Sequence, residues 1–170
     1  MSTSRPNDLT QFCQNFPQVD TPEVVRDNFL DTFDRLFLGG TRIIVVEGPA
    51  GIGKRSVLAQ YARRHCGRTL SLFIPPANRL GYNPQYLRQV IGEQMEWLLK
   101  GRGLEDRIVD DAYLGTQVSL LQRRAARVRS YCVVVDGLQS IPDEDSASRE
   151  AILRSIVPLG FPSFDFLVSG

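Results

Sequence analysis

Seven consecutive residues carry the clearest chemistry in this chain. Gly48-Pro49-Ala50-Gly51-Ile52-Gly53-Lys54 follow the apolar run Ile43-Ile44-Val45-Val46 and precede a helical pattern. The spacing G-x-x-x-x-G-K between a strand and a helix is that of a phosphate-binding loop. Glycines at 48, 51 and 53 let the backbone turn tightly and approach an anion without a Cβ in the way. Successive amides then point inward at the phosphates, and the following helix, about Lys54 to Arg64, adds the positive end of its dipole. Lys54 reaches the terminal phosphates as a point charge. The plain alternative is a strand–turn–helix joint that happens to hold a lysine.

The next position departs from the pattern. A serine or threonine after the lysine would bind Mg²⁺ through its hydroxyl, but this chain has Arg55, with Ser56 one place later. One helical residue is a rotation of about 100°, so Ser56 does not simply inherit the role. Phosphate binding survives on the backbone and Lys54, while metal positioning and hydrolysis lose a ligand. Arg55 reads as a solvated or structural helix residue, with a phosphate contact as the alternative. A second apolar run, Tyr131-Cys132-Val133-Val134-Val135, ends in Asp136. A carboxylate at the C-terminal edge of a parallel sheet is placed to hold Mg²⁺ directly or through water; otherwise it caps the next turn. Candidate ligands of the metal are therefore Asp136 and Ser56, and Gln139 is the candidate for orienting a water.

These residues need a sheet to hold them. The chain has 170 residues, 42% of them hydrophobic, which suits one domain with a real core. A net charge of +1 argues against a strongly electrostatic nucleic-acid binder. Cys13, Cys66 and Cys132 lack paired or metal-type spacing, which points to a reducing, intracellular setting; Cys132 reads as core. His65, the one histidine, reads as a surface or capping residue at a helix end. No stretch reaches the roughly 18 apolar residues of a membrane span, and no signal-peptide core is seen at the N-terminus.

In chain order, residues 1–20 read as a polar arm or linker in which Cys13, Phe16 and Pro17 are packing points. Thr21-Pro22-Glu23 is a helix start, and Val25, Phe29, Phe33, Leu36 and Phe37 share one face, a candidate wall for a nucleotide base. Gly39-Gly40 ends that helix. Strand one, Arg42 to Glu47, is near-continuously apolar and reads as buried on both faces. Strand two is Thr69 to Ile74. Asn83-Pro84 opens a helix with Leu87, Val90, Ile91, Met95 and Leu98 inward, closed by Gly101. After a looser stretch, Leu114, Val118, Leu121, Ala125 and Val128 mark another helix, whose outer face carries Arg123, Arg124, Arg127 and Arg129. That cluster reads as a solvated face, with a partner or nucleic-acid surface as the alternative. Asp143-Glu144-Asp145 precede a helix of about 148–157, ended by Pro158 and Gly160, and read as capping it. Strand four is Phe164 to Ser169.

Taken together, Val45 to Lys54, Val133 to Leu138 and the terminal Phe166-Leu167-Val168-Ser169-Gly170 resemble the STAND class of P-loop NTPases, in particular NACHT-like and related modules, over about residues 21–170. The resemblance implies a three-layer α/β P-loop fold, with a mainly parallel sheet of order 2-3-4-1 and helices on both faces. It implies an ATP- or dATP-dependent switch in the cytoplasm that uses Mg²⁺, works beside other domains or chains and oligomerises on activation. Carried over by position, Gly48, Pro49, Ala50, Gly51, Ile52, Gly53, Lys54, Arg55 and Ser56 would surround the phosphates, and Asp136 the metal. The family's acidic residues after that aspartate are here Gln139 and Ser140, a second loss on the hydrolytic side. The family's fifth strand and helical lid are missing, which reads as a fragment or a degenerate member with strand one as an exposed edge. Two rival readings are an active ATPase of AAA type acting on nucleic acid or protein, and a non-catalytic interaction domain.

Overall fold

The computed structural model describes residues 13, 15–18, 22–75, 79–104, 107–125, 130–155 and 163–170. Among them the elements run α1 (Asp27–Leu38), β1 (Ile43–Val46), α2 (Lys54–Arg64), β2 (Thr69–Phe73), α3 (Pro84–Lys100), α4 (Asp111–Ala125), β3 (Tyr131–Asp136), α5 (Ser146–Ser155) and β4 (Phe164–Ser169). The four strands form one all-parallel sheet of order β1-β4-β3-β2. This is the expected order read from the other edge. The crossover from β1 to β2 passes over β4 and β3 in one direction, and the next two return. Right-handed crossovers therefore put α2 on one face and α3 to α5 on the other. α1 packs on α2, and α3 packs against β2, α4 and α5.

Local sequence explains most of these elements. All six residues of β3 and all five of β2 are buried, as continuous apolar strands between helical layers should be. Asn83 caps α3: its side-chain oxygen accepts from the amides of Gln85 and Tyr86 at 2.9 and 3.2 Å, Pro84 holds the first position, and Gly101 closes the helix in the left-handed region at φ 70°. Asp110 does the same for α4, accepting from Tyr113 N at 2.7 Å.

The first helix is a correction. It starts at Asp27, not at Pro22, and residues 23–26 are non-helical; Thr21 lies outside the described residues. The backbone of this segment is taken up by α2. Gln60 accepts from Arg26 N at 3.1 Å and donates to the Val24 carbonyl at 2.9 Å, while Glu23 binds Gln60 and pairs with Arg63. Four tertiary contacts outweigh a favourable local start signal.

The two sheet edges are treated differently. On β2, Gln94 accepts from Ser71 N at 2.7 Å and donates to Ser71 O at 2.8 Å. Cys13 and Phe16, both buried, cover the same edge, Phe16 meeting Phe73 edge-on at 5.0 Å. On β1, Ile43 and Val45 remain 52% and 53% exposed, and Ile44 alone of the four is buried. Burial of strand one on both faces is therefore overturned: an edge strand lacks the neighbour whose connecting helix would cover its second face.

On the surface one expectation holds and one changes. Arg123 and Arg124 are both exposed, as a solvated face requires, and Arg124 also donates to the carbonyls of Leu98 and Leu99 at 2.7 and 3.3 Å, closing the end of α3; Arg127 and Arg129 lie outside the described residues. The acidic run binds side chains. Asp143 pairs with Arg149 at 3.4 Å, and Asp145 accepts from Tyr82 at 2.8 Å and pairs with Arg79 at 3.4 Å. The following helix is Ser146–Ser155, two residues earlier than read from the sequence, and Pro158 and Gly160 lie outside the described residues.

Candidate functional site around the glycine-rich loop

The loop leaves β1 at the C-terminal end of the sheet, the end where open α/β sheets bind ligands. Gly51 and Gly53 sit at φ 81° and 93°, a region that a residue with a Cβ enters only under strain. Gly53 carries a second constraint: a Cβ there would stand 2.8 Å from the Arg26 guanidinium. Gly53 is the residue before α2, and its carbonyl accepts from Val57 N at 3.1 Å to start the helix. Ile52 N donates to Pro49 O at 3.4 Å, and Lys54 Nζ donates to Gly48 O at 2.5 Å and Pro49 O at 3.5 Å. The ammonium thus arches over the loop, whose residues from Gly48 to Ile52 face solvent.

Asp136 ends β3, across β4 from the loop strand, and is 5% exposed. Its Oδ2 lies 3.6 Å from Arg55 Nη1, which also donates to Ile74 O at 3.5 Å, and the guanidinium carbon stands 5.7 Å from the Phe73 ring centroid. Arg55 is therefore a buttressed cation reaching toward β2 and β3, rather than a solvated helix residue. Ser56 points elsewhere. It is exposed and lines a cavity with Gln60 and Arg63, a set that does not include Asp136.

Mg²⁺ demands near-octahedral oxygen ligands, and the side chains here do not fit one held by the chain. The position that should supply a hydroxyl supplies a guanidinium, Ser56 opens into a different cavity, and the carboxylate already faces a cation. Among the described residues no group of three or more His, Cys, Asp or Glu is placed to hold a metal.

Gln139 is exposed and donates to Ser169 Oγ at 3.4 Å. The same hydroxyl oxygen accepts from Gly137 N at 3.3 Å, and Ser169 is paired in register with Val46. Ser169 thus joins the loop strand to the Asp136 strand. The sequence offered one signal for it, a polar residue closing an apolar strand.

No known protein family model matches the chain, and no curated protein matches it.

Beside the loop lies a cavity of about 280 Å³, lined among others by Pro22, Glu23, Arg26, Gly53, Ser56 and Gln60. The segment before α1 forms its outer wall, and sequence reading missed it because that segment looked like a helix. The aromatic face of α1, expected to wall a base, is turned away. Phe33 is buried, and Phe33 and Phe37 both pack on Tyr61, at 5.8 and 6.1 Å between ring centroids.

A second cavity of about 250 Å³ lies among Asp34, Phe37, His65, Arg68, Ser130 and Asp165, toward the N-terminal ends of β3 and β4. There His65 ends α2, packs at a tilt against Tyr61 with ring centroids 4.5 Å apart and faces Asp34 at 3.1 Å. Burial, followed by the nearby Arg68 guanidinium, lowers its pKa despite Asp34. Among the described residues, no helix is long and apolar enough to cross a membrane.

Proposed function

We propose that this chain binds the polyphosphate of a purine nucleoside triphosphate, ATP or dATP, as a regulatory switch module with little or no hydrolysis of its own. The observation that carries the reading is the loop. Gly51 and Gly53, both in the left-handed region, turn the backbone between a parallel strand and a helix N-terminus, and Lys54 lies across the turn. The cavity walled by residues 22–26 gives a nucleoside somewhere to rest beside the phosphates. Arg55 at the hydroxyl position weighs against the rival reading as a hydrolytic ATPase of AAA type. On this reading the module belongs to a cytoplasmic STAND- or NACHT-like signalling protein and works with further domains or other chains, with oligomerisation on activation.

A second reading, a protein-interaction domain, is favoured by one observation. Ile43 and Val45 on the open edge, with Phe29, Leu36 and Leu38 on α1, are large apolar side chains left exposed.

Thermal unfolding with and without ATP separates the two. Ligand at about 100 times its dissociation constant adds about 2.7 kcal/mol, which raises the midpoint by roughly 5–11 °C for a domain of this size. Lys54→Ala should abolish the rise while keeping the ligand-free midpoint, since the contacts it loses are at the surface. Absence of any shift at millimolar ATP, with or without Mg²⁺, would sink the nucleotide reading in favour of the interaction domain.

A further inference from the structure

In sites of this kind Mg²⁺ bridges the β- and γ-phosphate oxygens and neutralises their charge. Among the described residues the side chains do not make up a ligand set for such an ion, and Arg55 puts a fixed cation in the same neighbourhood. We propose that the Arg55 guanidinium takes the place of the bound metal, so that the site accepts a polyphosphate without Mg²⁺. The proposal rests on the nucleotide reading above and names the form of ligand that site takes.

Three features of Arg55 support it. It follows Lys54 directly in the first turn of α2, so both cations spring from the helix end that faces the loop. Its polar contacts among the described residues, to Asp136 Oδ2 and Ile74 O, both use Nη1. The side chain is 36% exposed, and on this proposal its Nε and Nη2 donors meet two oxygens of one phosphate, the forked geometry in which a guanidinium excels. The Asp136 carboxylate and the Phe73 ring hold the group from behind. Asp136 then acts as a positioning residue, anchoring a guanidinium where the usual site would anchor a metal. A hydroxyl in place of Arg55 would restore the missing metal ligand, so Arg55→Thr is a direct exchange of one solution for the other.

The experiment titrates the full chain with ATP in EDTA and, in parallel, with excess Mg²⁺, each read by thermal shift against its own ligand-free baseline. The wild type should be stabilised in EDTA at least as strongly as with Mg²⁺. Arg55→Thr should bind at least about tenfold more weakly in EDTA, the loss of a charge-assisted contact, and should recover part of that when Mg²⁺ is added. Arg55→Lys, which keeps the charge and loses the fork, should fall between them, and it supplies the comparison if the threonine variant has a lowered ligand-free midpoint. Stabilisation of the wild type with Mg²⁺ but not in EDTA would overturn this inference and leave the nucleotide reading standing. So would variants at Arg55 that bind in EDTA as the wild type does. A wild type silent under both conditions overturns the nucleotide reading itself, and this inference with it.

Discussion

Gln94 hydrogen-bonds both backbone groups of Ser71, its Oε1 accepting from the amide at 2.7 Å and its Nε2 donating to the carbonyl at 2.8 Å. One side-chain amide from α3 thus does for the outer edge of β2 what another strand would do. All three groups are buried, so the pair is worth more through what its loss would expose than through its own net energy.

Replacing Gln94 by leucine keeps the volume, strands the Ser71 N–H away from water and leaves its carbonyl only the weak thiol donor of Cys13, at 3.7 Å. We expect a loss of about 2–4 kcal/mol, seen as a lower urea midpoint at unchanged m-value. A variant within 0.5 kcal/mol of wild type, on the order of a plain surface substitution, would show that water or the segment around Cys13 takes over the edge.

Gly137 and Gly40 give a paired test of strain against crowding. Both sit at positive φ, 91° and 94°, but a Cβ on Gly137 would stand 2.3 Å from the Ile74 carbonyl oxygen, while one on Gly40 meets nothing within 4 Å. Gly40→Ala should cost about 1–2 kcal/mol, the left-handed strain alone. Gly137→Ala should cost clearly more, since Ile74, whose amide donates to Asp136 O at 2.8 Å, must also move. Equal losses in chemical denaturation would contradict the close approach of β2 to the turn after Asp136.

His65 gives the pH dependence near neutrality. Burial and Arg68 lower its pKa below 6.5, so the fold prefers the neutral ring and the unfolded chain binds more protons. Its contribution is complete above 6.5 and is lost as pH falls from there through the lower folded value. As the chain has one histidine, its ring resonances in an NMR titration should show a midpoint below 6.5. His65→Gln should flatten the stability slope over that window, and the comparison separates it from Asp165, whose carboxyl burial shifts upward. A midpoint above 6.5 would mean that Asp34 governs the ring instead.

Much of this architecture was legible before any coordinates. β3 and β4 fall on the residues their apolar runs marked, α2 on Lys54–Arg64, and α3 between Asn83 and Gly101. Those signals are local: an apolar run, a capping side chain and a left-handed glycine act within a few residues of themselves. The helix expected from Pro22 failed for the opposite reason. Gln60 and Arg63 compete for its backbone and for the Glu23 side chain from 34 to 40 positions away.

By itself, then, the sequence determined the strands, the glycine loop and the lysine that follows it, because each depends on backbone preferences and on spacing along the chain. Only the tertiary structure decided that Arg55 meets Asp136, 81 positions further on; that Ser56 opens away from it; and that β1 keeps one face bare while β2 is closed by Gln94. Each of those outcomes depends on which strand lies next to which, and strand order is set by the packing of helices across the whole sheet.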